Sequence, residues 1–418
     1  MKNLLLIFLV FYFSSANWRQ FQNDPAHCGK TEIVVQVERL LWSKQIPPLS
    51  PFSGPAVKDS FIFVPTSNGL FSFSIDGESL WTVPGSFENV PAIYDSVIIV
   101  TSNIFLCAFS FSGNFLWRRS FQNQIWHPVI WDTFIFITEG NRLWKLRLNG
   151  DTVWFRECSP GFYNAAPAID DSGRIFVATL ADHLGWFDFR VYGFNQNGDQ
   201  IFFHEGSRFP FVEPGGNQVS PTLTPTGVVF ATYPQTGWFH GCYLINFTGG
   251  SQRWEGTMYH SSAACDISQN RIYYVDDNKV VARNLSGNLI WQSPNLGRIS
   301  YSSPAIDGNG KIFIGNDFGI FYILNLDGTI SFSYNTGSGI LTHPAITSDG
   351  KVIITSTNGR LICFGRQLVA ITEKLKEQTR ILFPFGIYDI TGQKVKNSKL
   401  PGIYFKIDTT GIKKIIRF

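Results

Sequence analysis

Apolar and polar positions follow one short pattern that repeats through most of the chain. A Pro-Ala-Ile-like start leads into a short apolar strand and a polar turn. A β-branched or aromatic run comes next, such as Ile312-Phe313-Ile314, then a second polar turn and a third strand. The starts fall at Pro55, Pro91, Pro128, Pro167, Pro221, Pro304 and Pro344, with Ala264 taking the slot in a degenerate copy. Runs of this length and residue type between Gly, Asn and Asp turns read as strands. Eight copies spaced about 41 residues apart have the length of a four-stranded propeller blade.

A second signal closes seven of the copies. A polar residue and Gly are followed, four residues after the Gly, by an aromatic: Gly77…Trp81, Gly113…Trp117, Gly150…Trp154, Gly198…Phe202, Gly250…Trp254, Gly287…Trp291 and Gly328…Phe332. Gly supplies the positive φ of a tight turn between twisted strands. The aromatic that follows is a body large enough to wedge against a neighbouring blade, so Trp81, Trp117, Trp154 and Trp291 are expected to be largely buried. The eighth copy, Pro344 to Phe364, lacks this ending. Val37 to Ser43, with Trp42, supplies the missing outer strand from the other end of the chain, which removes the open sheet edge. The expected fold is all-β: an eight-bladed β-propeller of four-stranded blades over residues 17–365, closed by an N-terminal strand.

The two ends break the rhythm. Lys2 precedes ten apolar residues, Leu4 to Phe13, and Ser14-Ser15-Ala16 places small residues before a cut. Residues 1–16 therefore read as a secretory signal peptide. Ten apolar residues are too few for a bilayer, which takes about 20, so the chain is expected to be exported and soluble and not to span a membrane. After a polar linker at 366–380, residues 381–418 alternate between Gly turns as a small antiparallel β module. Tyr388-Asp389-Ile390-Thr391-Gly392, Gly402-Ile403-Tyr404-Phe405 and the basic-apolar ending resemble the C-terminal sorting domain of type IX secretion cargo, which implies the secretion machinery as a partner. A net charge of +3 points to no nucleic-acid partner. The six cysteines (28, 107, 158, 242, 265 and 363) contain no CxxC and no adjacent pair, and read mainly as buried free thiols.

The blade starts, the Gly-x3-Trp endings and the lead-in Trp18-Arg19-Gln20-Phe21-Gln22-Asn23-Asp24 through Gly29 resemble the quinoprotein-dehydrogenase-like propeller repeats. That family also includes the outer-membrane assembly propeller lipoproteins. Its docking motif carries an Ala five residues before the Gly; only Ala108 and Ala282 keep it, so blade packing is expected to be less regular than in the family. The enzymes of the family are implied to hold calcium and a quinone in the channel, with an adjacent Cys pair over the cofactor. No such pair exists here, the blades are short, and no GxSxG, HExxH, phosphate-loop or calcium-loop motif occurs. The expectation is a binding protein with no cofactor and no metal; the alternative is a quinone-dependent dehydrogenase or a channel-site hydrolase.

Blade length singles out a candidate site. Pro167 to Gly198 and Pro221 to Gly250 span 31 and 29 residues, against 22 to 24 in other blades. The extra residues, Asp182 to Phe187 and Gln235 to His240, fall between second and third strands. The 23-residue link from Gly198 to Pro221 adds Phe209-Pro210-Phe211-Val212. All three emerge on one face, where loops on a rigid scaffold carry function. Trp186, Phe187, Phe209, Phe211, Trp238 and Phe239 form either a local satellite core or an exposed platform for a protein, peptide or surface glycan. His127, His183, His240, His260 and His343 map to the same face. His183 and His240 come from adjacent blades, whereas His127 and His343 do not. Asp24 and Glu139 read as solvated turn residues.

Overall fold

The computed structural model describes residues 18–50, 53–158, 165–183, 186–206, 209–210, 220–232, 241–254 and 260–366, and C-terminal strands at 386–389, 394–395, 402–408 and 411–417. The side chains of 180–188, 209–210, 231–241 and the C-terminal strands lie outside the description. Two units meet at Gly365/Arg366. The described residues contain strands and no helix.

The first unit is an eight-bladed propeller. Each blade is a four-stranded antiparallel sheet running from the axis outwards. Blade eight consists of Ala345–Ile346, Val352–Ser356, Arg360–Gly365 and, outermost, Arg39–Gln45. The closing strand pairs antiparallel, Leu40 opposite Phe364, Trp42 opposite Cys363 and Gln45 opposite Arg360. One end of the chain thus completes the sheet begun by the other, as the missing Gly…Trp ending predicted. The second unit is a four-stranded antiparallel sheet in which Gly386–Asp389 lies between Lys394–Val395 and Gly402–Asp408, and the latter pairs with Gly411–Arg417.

Middle strands are buried on both faces because each blade is packed between two others; Val352–Ser356 is buried at every position. The apolar core is accordingly a set of clusters at blade interfaces. Ala92, Ile99 and Leu106 of blade two pack on Ile130, Ile135 and Ile137 of blade three. At the closure one cluster joins Phe321 of blade seven, Phe364 of blade eight and Val64 of blade one.

The Gly…Trp signal has a direct physical cause. Trp81, Trp117 and Trp291 each donate their indole N–H to a carbonyl in the next blade's turn: Phe111 at 2.7 Å, Leu148 at 2.9 Å and Leu326 at 2.9 Å. The ring lies against that turn's Gly, so a Cβ at Gly113 or Gly328 would meet it at 2.9 or 2.6 Å. Gly therefore serves two ends here, positive φ and contact with the neighbour's indole. All four tryptophans, Trp154 included, are half-buried rather than largely buried; Trp81, Trp117 and Trp291 lie on the next blade's turn Gly, whereas at Trp154 the Arg156 guanidinium covers Gly198. In blade five the residue with positive φ is Gly249. The loss of the docking Ala shows at blade three, where Lys145 takes its place: the Gln196 carbonyl accepts from both Lys145 Nζ and Trp154 Nε1, at 3.0 Å each.

Candidate functional site

The lead-in occupies the axis of the ring. The innermost strand of a blade presents an edge with no further strand to pair with, and its backbone groups need partners. The lead-in supplies them in order as it winds past the blades. Val57 of blade one donates its N–H to Trp18 O at 2.8 Å, and Ile93 of blade two to Arg19 O at 2.8 Å. Ile130 of blade three donates to Gln20 Oε1 at 2.8 Å. Ile169, Leu223, Cys265 and Ile306, in blades four to seven, donate to Pro25, Ala26, Cys28 and Gly29 carbonyls at 2.7 to 2.9 Å. The donor is the third residue of each start. This register puts Ala263, not Ala264, in the Pro slot of blade six, because Cys265 takes the role of Ile306. From Gly308 N–H to Ile33 O and Glu38 N–H to Gly365 O, the chain then leaves the axis to become the closing strand.

Phe21 packs at the centre of this plug. Its ring stacks on His127 at 4.4 Å and meets His343 and His27 edge-on at 4.7 and 5.0 Å. His127 and His343, from blades three and eight, lie 6.5 Å apart. Sequence order kept these two apart because their blades are not neighbours. The residue before each start faces the axis, however, so any two such positions can meet across it. His127 Nδ1 accepts the Val90 N–H at 3.0 Å and His343 Nδ1 the Ser303 N–H at 3.1 Å. Those bonds require neutral imidazoles with the proton on Nε2. His27 donates from Nδ1 to Pro221 O at 2.8 Å. Burial lowers all three: His27 to about 4, His343 to about 3, and His127 well below the usual range, the last two further by neighbouring imidazoles.

Towards the face that carries the first turns, the plug and the inner strands border an open cavity of about 780 Å³, with Asp24, Cys28, Lys30, Trp131 and Cys265 in its wall. Asp24 is a half-buried residue of the plug rather than a fully solvated turn. Burial pushes its carboxyl up to about 7, against the opposing N–H groups of Cys28 and Ala26. Glu139 is buried: Oε1 accepts the Gln122 and Asn123 N–H groups at 2.5 and 2.9 Å, and Oε2 the Trp144 indole at 2.9 Å. All six cysteines are free thiols, five of them buried. Among the described residues no three His, Cys, Asp or Glu side chains group as metal ligands. With Phe21 and three neutral imidazoles on the axis and no adjacent Cys pair, the channel does not fit a calcium-held quinone.

The blade four and five rim is described in part. The insertion in blade four is strand rather than loop. Ile175–His183 and Trp186–Phe194 form a hairpin of nine-residue strands, His183 opposite Trp186 and Asp182 opposite Phe187. Beyond the outer strand Gln200–Glu205, the short strand Phe209–Pro210 takes over the same edge, Phe187 opposite Phe209 and Trp186 opposite Pro210. Two of the three candidate segments therefore share one sheet edge. Phe211, Trp238, Phe239 and His240 lie outside the described residues, as do the side chains of His183, Trp186, Phe187 and Phe209. His260 stacks on Tyr301 at 4.6 Å.

No family model matches the chain, and no curated protein sequence matches it. Solved structures do resemble it. The chain is similar to a quinohemoprotein alcohol dehydrogenase from Comamonas testosteroni, TM-score 0.67 at 11% identity over 84% of this chain and 80% of that one. It is also similar to a europium-containing methanol dehydrogenase, TM-score 0.66 at 12% identity over 82% and 90%. With BamB from Moraxella catarrhalis the TM-score is 0.59 at 18% identity, over 78% of this chain and 99% of that one. At these identities the likeness establishes the fold alone, a β-propeller.

Proposed function

We propose that the chain is an exported, non-catalytic binding scaffold that takes a protein, peptide or surface glycan on the rim of blades four and five. The observation that carries this reading is the extended hairpin of blade four, edged by Phe209–Pro210. It sets an aromatic-rich sequence on regular strands at the one sector that departs from the repeat, and a paired arm holds such residues more firmly than a free loop. The plug on the axis favours the rim over the channel as the working surface. The leader-like residues 1–16 and the sorting-like module support export and the secretion machinery as a partner. No helix among the described residues is long and apolar enough to cross a membrane.

The likeness in fold to two dehydrogenases favours a second reading, quinone-dependent oxidation. One comparison separates the two. Purified protein is screened on peptide and glycan arrays, alongside the Trp186→Ala, Trp238→Ala double variant. Binding by the native chain that the variant loses, with its melting temperature kept, is the expected outcome. Binding that survives the double change overturns the rim reading. Reduction of an artificial electron acceptor by alcohol after addition of quinone and calcium overturns the non-catalytic one.

A further inference from the structure

Two of the six thiols are in contact, though 237 positions separate them in sequence. Cys28 lies on the axial plug and Cys265 on the inner strand Ala264–Asp266 of blade six. The two thiols are close enough to act on each other, and the Cys28 thiol also donates to Leu223 O at 3.9 Å. The Cys265 N–H also donates to Cys28 O at 2.8 Å, fixing the two backbones side by side. Chains joined in this way run about 4.7–4.9 Å apart with a rise of about 3.3 Å per residue, so two residues offset by one position have Cα atoms about 6 Å apart, inside the roughly 4.4–6.8 Å that a disulfide requires. Both residues line the 780 Å³ cavity, whereas Cys107, Cys158, Cys242 and Cys363 are buried away from it.

We infer that Cys28 and Cys265 are a redox-modification site: they close into a disulfide that fastens the axial plug to blade six, by exchange with a small organic disulfide that enters through the cavity. The Cys28 thiolate attacks one sulfur of the incoming disulfide and expels its first thiol. The Cys265 thiolate then attacks the Cys28 sulfur of the mixed disulfide and expels the second. Two thiol protons and two electrons pass from the protein to the disulfide, which leaves as two thiols. The neighbouring Cys265 thiol, burial and the Asp24 charge all hold the Cys28 thiol up, so exchange speeds up with rising pH. The plug carries the backbone acceptors for the inner strands of blades one, two and four to seven. A bond that ties it down constrains the whole ring and closes a long loop, the case in which a cross-link limits the unfolded chain most.

The test uses the full chain, reduced and then exposed to oxidised glutathione at pH 8. Trypsin cuts out Gln20 to Lys30 and Trp254 to Arg271, each holding one cysteine of the pair. Under non-reducing conditions the two peptides are expected as one species lighter by two hydrogens than their sum. Four of six thiols should remain titratable in denaturant, and the melting temperature should rise by several degrees. Cys28→Ser and Cys265→Ser should each abolish the cross-link and the rise. Six remaining thiols, a stable glutathione adduct on Cys28 without the cross-link, a different cysteine pairing, or a cross-link that leaves the melt unchanged would each overturn the inference.

Discussion

The indole of Trp42 lies on the turn at Gly77, its N–H donating to Ile75 O at 3.1 Å and its ring so close that a Cβ on Gly77 would meet it at 2.7 Å. Trp42 belongs to the closing strand and Gly77 to blade one, so this contact is the indole-on-glycine lock that joins blade eight to blade one, and the N-terminal segment makes it. Trp42→Ala should therefore destabilise about as much as Trp81→Ala. Both rings are half-buried, so a loss of about 2 kcal/mol is expected, below the roughly 3–5 kcal/mol of a fully buried Trp. Chemical denaturation of both variants measures it. A negligible loss for Trp42→Ala beside a large one for Trp81→Ala would mean that the closing strand does not lock the ring.

Gly77→Ala attacks the same lock from the other side. The residue sits at φ +85°, which an L side chain adopts only with strain, and its Cβ would displace the Trp42 ring. A cost above about 1 kcal/mol is expected, larger than backbone strain alone accounts for. Combined with Trp42→Ala, the Gly77 change should cost less than on its own, because the ring it strikes is gone. Additive losses in the double-variant cycle would break the argument.

The ring was legible because its signals are local. A turn Gly with an aromatic four residues on recurs in seven blades and a Pro-Ala-Ile-like start in all eight, each within the blade's own sequence, and even the closing strand is marked by the ending that blade eight lacks. The axial cluster was not legible in the same way. Phe21, His27, His127 and His343 meet only because eight inner strands converge on one line, a relation set by the closed ring and invisible to neighbour-by-neighbour reading. One signal did exist: His127 and His343 occupy the same slot before the start, and that slot faces the axis. Asp24 and Glu139 were misjudged for a related reason. A turn residue is solvated only if nothing packs around it; the Gln122 to Asn123 backbone covers Glu139, and Asp24 is held half-buried within the plug, in the wall of its cavity.

Phe21 is expected to be the most sensitive position of the plug. It is buried between imidazoles from blades three and eight and has no room to relax. Phe21→Ala should cost on the order of 3–5 kcal/mol by denaturant melts. A loss below about 1 kcal/mol would show that the plug contributes little to holding the ring.

Acid should loosen the axis. His27, His127 and His343 are neutral in the native state, with values lowered to about 4, well below normal, and about 3, from 6.5. The unfolded chain takes up their protons first. The stability that depends on their neutrality is therefore complete above about pH 6.5 and is lost as pH falls towards 4 and 3. Protonating His343 Nδ1 would also set two donors against each other at Ser303. His343→Gln keeps an acceptor for that N–H and cannot titrate. Denaturation from pH 7 to pH 4 should show a shallower loss in the variant. Parallel curves for variant and native protein would refute the assignment.

Asp24 should act in the opposite direction, and its effect can be isolated. Burial raises its carboxyl from 3.8 to about 7, the neighbouring Asp171 charge adding to the rise. The native state thus holds this proton more tightly than the unfolded chain does. The associated stability is present below about pH 3.8 and is lost as pH rises through 7. Asp24→Asn keeps an oxygen for the Cys28 N–H, 3.1 Å away in the native protein, but has no proton to lose. The axial histidines titrate in both proteins, so they cancel in the difference between them. That difference should be small near pH 4 and grow to about 1–3 kcal/mol in favour of the variant by pH 8, the open cavity screening part of the full shift. Denaturant melts of the pair at pH 4, 6 and 8 read it directly. A variant uniformly less stable at all three would mean that the carboxylate is stabilised as an anion at the plug, contrary to its burial.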